Sequence, residues 1–119
     1  MIARQTDARA MAQFAYRIRP TRVAMLVEGP TEREAGVMAR HVEYLRDLAE
    51  RGQVLLAGRT LTADARTFGI VVFEAASEDA ARRVMQDDPA VSEGVMQAAL
   101  WPFRVAFASA RGPQAASGR

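Results

Sequence analysis

The 119-residue sequence has no cysteine, no lysine, a single histidine and a single tryptophan. Without cysteine there is neither a disulfide framework nor a thiolate nucleophile. One histidine and no cysteine provide no ligand set for structural zinc, so no metal is expected. No apolar run reaches the roughly eighteen residues of a membrane span. No apolar signal core with a small-residue cleavage site opens the chain, so a cytoplasmic protein is expected. Glycine-rich phosphate loops are absent, and no nucleotide or other cofactor is expected.

The missing lysine explains a charge anomaly. All 16 basic residues are arginine, so nothing basic titrates near pH 10. A net charge of only +2 then suffices for a pI of 9.9. The charge is also segregated. Residues 1–22 and 108–119 carry seven arginines and one aspartate, whereas residues 23–107 carry nine arginines and thirteen acids. The body is mildly acidic, which disfavours a nucleic-acid partner despite the pI.

What is present reads as one domain with a real core. Residues 1–12 show neither period nor cap and are expected to be a poorly ordered extension. Residues 109–119 form a small-residue tail expected to be flexible; residues 13–108 form the domain. Phe14–Arg19 alternates as a half-buried strand that Pro20 should end. Residues 21–30 read as a loop, with at most a short extended piece. Thr31 with Glu34 makes a capping box for a helix over Glu32–Arg51, stopped by Gly52. Val54–Gly58 and Phe68–Ala75 read as apolar strands. Ser77 caps a second helix running to Gln86, and Asp88-Pro89 starts a short third one. Ala98–Phe107 returns as a strand in which Ala99, Trp101, Phe103, Val105 and Phe107 share a face. Pro102 puts that strand at a sheet edge.

The order is β-α-β-β-α-β. It predicts an α+β, ferredoxin-like plait: a four-stranded antiparallel sheet with two helices on one face. Two helices cover only one side of a sheet whose strands are apolar on both. The uncovered face is too apolar for a monomer, so a homodimer packing sheet to sheet is expected.

The single histidine, His41, lies on the first long helix. At 100° per residue it falls between two apolar groups, Leu45, Met38, Ala49 and Val42 on one side and Leu48, Val37 and Tyr44 on the other. Arg40, Glu43, Arg46, Asp47 and Glu50 face away. His41 therefore points inward, where an imidazole needs a partner or a cavity. Either a backbone carbonyl or a carboxylate would serve. The most suggestive carboxylate is Asp88, which would orient the ring for proton transfer, although Asp-Pro is equally an ordinary helix start. The spacing alone does not bring the two together.

Two family resemblances bear on this. "RTFGIVVF" (Arg66 to Phe73) resembles the ribonucleoprotein box of RNA-recognition motifs at Arg66, Phe68, Gly69, Val71 and Phe73. Thr67 and Ile70 replace a glycine and a base-stacking aromatic, and RNA binding is the remote alternative. Over about residues 14–107, "HVEYL", "RGQVLLAGRT", "FGIVVFEA", "SEDAARRVMQDDPAV" and "GVMQAALWPFRVAF" together resemble the YCII-related family. That family belongs to the dimeric α+β barrel group, which also contains muconolactone isomerases. The resemblance implies a ferredoxin-like subunit, a sheet-to-sheet dimer and a pocket between helix and sheet. It also implies a catalytic histidine and aspartate, which fall on His41 and Asp88. Because the family includes a dehydrochlorinase acting on a chlorinated hydroxyquinol, it implies lyase or isomerase chemistry on a small oxygenated cyclic compound. Arg22, Tyr44 and Arg59 are candidate contacts for the substrate's anionic or hydroxyl groups. A non-enzymatic module that binds a small ligand or serves only to dimerise is the alternative.

Overall fold

Large apolar side chains at every second position of the first strand decide which side of the sheet is buried. Phe14, Tyr16 and Ile18 turn one way, and so do Val71, Phe73 and Ala75 of a neighbouring strand. The computed structural model describes residues 11–116. Its elements are β1 (Ala12–Pro20), α1 (Ala24–Val27), α2 (Glu32–Glu50), β2 (Val54–Arg59), β3 (Gly69–Ala75), α3 (Glu78–Asp87), α4 (Pro89–Ser92) and β4 (Met96–Phe103). The strands form one antiparallel sheet in the order β2-β3-β1-β4. α2 and α3 contribute Leu48, Ala81 and Met85 to the same core as the strands, so both long helices lie on one face. This is the predicted ferredoxin-like α+β plait. Phe73 sits at its centre, 5.7 Å from the Tyr16 ring in an edge-on contact and 6.0 Å from Phe14. Such aromatic pairs add to the burial of their area.

The helix starts follow the capping chemistry. The Thr31 side chain accepts from the Glu34 N–H, and Glu34 returns a bond to the Thr31 N–H. Ser77 accepts from Ala80 N–H, and Asp88 from Ala90 N–H with Pro89 at the first helical position. Gly52, at φ 81°, ends α2 in a left-handed conformation that glycine adopts freely.

Three expectations need correction. Residues 21–30 are not simply loop: Ala24–Val27 form a helical turn with no side-chain cap. Tertiary burial, not propensity, holds it, because Met25 packs with Val37 and Val95 in a second small core. β4 covers Met96–Phe103 instead of running to Phe107. β1 runs out at that point: Gln13 pairs with Phe103, and its side-chain oxygen then accepts the Val105 N–H at 2.7 Å. Phe107 lies beyond the sheet and is 96% exposed. The apolar arc of α2 is also narrower than the helical wheel indicates. Val37, His41 and Leu48 are buried, but Val42 is half exposed and Ala49 is exposed. Pro102 does lie on an edge strand. The expected N-terminal extension falls mostly on residues 1–10, outside the described residues, although Ala12 already belongs to β1.

The second sheet face carries Ala15, Arg17, Val72, Leu56, Trp101 and Phe103, placed there by strand register. Leu56, Trp101 and Phe103 remain 42%, 45% and 45% exposed. The Arg17 guanidinium lies 5.4 Å from the centre of the Trp101 ring, a cation–π contact. Its Nε is buried without a hydrogen-bond partner among the described residues. Among the described residues no helix is long and apolar enough to cross a membrane.

Replacing Thr31 with alanine removes one half of the capping box. The expected cost is about 1 kcal/mol, a fall in Tm of roughly 4 °C for a domain of this size. Thermal melts of the wild type and the variant check it.

Candidate active site

Asp88 is both the cap of α4 and the polar centre of the core. Its carboxylate is fully buried, a costly state unless every oxygen is satisfied. Three elements satisfy it. The Tyr16 hydroxyl, from the middle of β1, donates to Oδ2 at 2.7 Å. The Ala90 N–H, from the first turn of α4, donates to Oδ1 at 2.9 Å. From α2, His41 Nδ1 lies 2.8 Å from Oδ1 and 2.9 Å from Oδ2. The structure thus brings together the two residues whose spacing left the question open.

The arrangement selects a tautomer. An ionised carboxylate only accepts, so Nδ1 carries the hydrogen and the neutral ring keeps its lone pair on Nε2. Nε2 has no hydrogen-bond partner among the described residues, and His41 lines a cavity of about 430 Å³. Tyr16 is a fixed donor. Burial drives its phenol pKa far above the ordinary value, and the Asp88 charge beside it pushes in the same direction.

The cavity lies between α2 and the β2–β3 end of the sheet, with residues 25–30 along one side. Met25, Leu26, Met38, Leu45, Ile70 and Met96 make it largely apolar. His41, Arg59 and Thr67 are its polar side chains. Gly58 and Gly69 line the cavity from adjoining strands. A Cβ on Gly69 would stand 3.0 Å from Ile18 Cγ1 and 3.3 Å from the Gly58 carbonyl oxygen. Thr67 is buried and braces the loop between β2 and β3, donating to the Thr62 carbonyl at 2.6 Å.

Of the three candidate substrate contacts, only Arg59 lines this cavity. Arg22 is engaged elsewhere, with Nε and Nη2 donating to the two oxygens of Glu34 at 2.8 and 2.7 Å. That fork, helped by the Thr31 N–H, lowers the Glu34 carboxyl to about 2. Arg22 thereby ties the end of β1 to the start of α2 across the segment that carries Met25 and Leu26. The Tyr44 hydroxyl donates to the Val84 carbonyl at 2.7 Å, joining α2 to α3. Burial first, and then the Asp87 and Asp88 charges, push its phenol up to about 12.

Tyr16 was legible in the sequence only as a core residue. The available signal was that a tyrosine on the buried face of a central strand brings a hydroxyl needing a partner. Among the described residues no cluster of three or more histidine, aspartate or glutamate side chains is placed to hold a metal ion.

Residues 12–104 match the YCII-related domain family. No curated protein matches the chain in sequence. Among solved structures the chain is similar to 5-chloro-2-hydroxyhydroquinone dehydrochlorinase from Burkholderia phenoliruptrix, in complex with 2,5-dihydroxybenzoquinone. The TM-score is 0.56 and the identity 18%, over 84% of this chain and 99% of that one. At such identity the likeness speaks to the fold.

Tyr16→Phe removes one donor from a buried carboxylate and leaves the packing intact. It should lower stability by about 1–2 kcal/mol, read as a drop in the urea midpoint at constant slope. An unchanged midpoint would show that Asp88 does not depend on the phenol.

Proposed function

The chain belongs to the YCII-related family, and from that premise we propose that it is a lyase or isomerase acting on a small oxygenated cyclic compound, with His41 as the proton-transfer group. The observation that carries this reading is the engagement of Nδ1 by a fully buried carboxylate in a histidine that lines an apolar cavity. Nε2 accepts a proton from the bound substrate. The electron pair left behind forms a new π bond as a leaving group departs with its own pair, or the proton returns to a different substrate atom. Asp88 holds the ring in the productive tautomer and stabilises the imidazolium that forms. The apolar walls around His41 offer few competing hydrogen-bond groups, which strengthens these electrostatic effects. A dehydrochlorination, the reaction named for the similar Burkholderia enzyme, is one instance of this chemistry.

The working form in this reading is a cytoplasmic homodimer. The open sheet face supports it, with Leu56, Trp101 and Phe103 half exposed and the Arg17 Nε buried but unpartnered. A second copy packed sheet to sheet would cover the aromatic side chains and draw water away from them.

His41→Ala should reduce turnover of a chlorinated hydroxyquinol by a factor of about 10² to 10⁴. Asp88→Asn should also reduce it, because an amide can present its N–H to Nδ1 and favour the wrong tautomer. Wild-type rates in His41→Ala would dismiss the reading, while binding without turnover in the wild type would favour the non-enzymatic module. Light scattering at micromolar concentration should give a dimer. Trp101→Glu, which places a charge on the open face, should shift it to monomer.

A further inference from the structure

A second chamber of about 380 Å³ adjoins the first and shares Met25, Leu26, Pro30 and Arg59 with it. Its remaining lining comes from the β2–β3 loop, Leu61, Thr62 and Ala63, and from Gly29. Arg59 therefore stands at the junction, the only side chain with a full charge in either lining among the described residues. Its placement follows from register. As the last residue of β2 it pairs with Gly69, which offers no side chain beside it. Nothing neutralises it: among the described residues Arg59 has no carboxylate within ion-pair distance, unlike Arg22, Arg33, Arg40, Arg46, Arg51, Arg66 and Arg82. The loop that frames the second chamber is braced from within. Thr62 Oγ1 lies 2.8 Å from Thr67 Oγ1 and 3.0 Å from Thr60 Oγ1, so the wall beside Arg59 is built from satisfied groups.

We propose that Arg59 is the specificity-determining anion contact of this site, and that the ligand is an organic acid. Its ring or other apolar portion occupies the inner chamber beside His41, and its carboxylate meets the Arg59 guanidinium at the opening into the outer one. The inference rests on the preceding reading of the cavity as a substrate site and adds the charge of the substrate. An apolar chamber bordered by one unpaired guanidinium favours an anion with an apolar body over a neutral molecule of the same shape. The planar fork of arginine suits a carboxylate held by two parallel hydrogen bonds. The outer chamber leaves room for a substituent on the carboxylate side of the ring.

Calorimetric titration of the full chain with 2,5-dihydroxybenzoate and with hydroquinone tests this without requiring turnover. The acid should bind the wild type at least about tenfold more tightly than the neutral diol, as expected for a charge-assisted bond. Arg59→Gln should abolish that preference while leaving Tm and hydroquinone affinity unchanged, and Arg59→Lys should restore part of it. His41→Ala should retain the preference, which separates this contact from the proton-transfer chemistry. Equal affinity of the two compounds for the wild type would overturn the proposal. So would a preference that survives in Arg59→Gln, or no binding of either compound at millimolar concentration.

Discussion

A carboxylate buried without any exposed surface sits where β1, α2 and α4 meet, and the arrangement of the core depends on satisfying it. Asp88 takes one donor from each element: the Tyr16 hydroxyl, His41 Nδ1 and the Ala90 N–H. A charge in that position is tolerated only while its partners remain, because removing one leaves the charge uncompensated in a medium of low dielectric. The packing of sheet and helices is thereby coupled to the orientation of a single imidazole. The group that stabilises the fold locally, by capping α4, is also the group that sets the histidine's tautomer.

That coupling makes the site rigid. His41 projects from the middle of a 19-residue helix whose start is secured by a complete capping box. Asp88 is fixed by backbone geometry at the beginning of α4, and Tyr16 by its place in a central strand flanked on both sides. In the proposed reading, groups carried on such elements need little reorganisation when a substrate enters. The more adaptable parts are the walls. Residues 23–30 contribute Met25 and Leu26, and methionine side chains conform readily to different ligand shapes. The Arg22–Glu34 fork bridges the base of that segment, giving Arg22 a structural role next to the cavity it does not line.

Glycine and charge then shape the cavity. Gly69 sits where a side chain would intrude on Ile18 and on the Gly58 carbonyl, and Gly58 lines the same cavity from the adjoining strand. The cavity is bordered by Arg59, whose side chain has no acidic partner among the described residues. On the opposite sheet face the chemistry is different, with aromatic surface and a buried guanidinium nitrogen that lacks an acceptor. The sheet therefore separates an inward face that borders the His41 cavity from an outward face with half-exposed aromatic side chains.

Much of this was legible from local pattern. Alternating apolar residues in β1, the capping signatures at Thr31, Ser77 and Asp88, and the punctuation at Gly52 defined the βαββαβ order, because these signals act within a few residues along the chain. The same periodicity turned His41 inward. It failed where long-range contacts prevail over propensity: in α1, held by Met25 in a distant core cluster, and at the end of β4, set by where β1 runs out. The meeting of Asp88 with His41 and Tyr16 spans 47 and 72 residues along the chain, and no local spacing encodes such a distance. Tertiary structure alone decided that Arg22 and Tyr44 serve as ties while Arg59 faces the cavity. A side chain's partner depends on which elements pack beside it, and the sequence specifies that only through the whole fold.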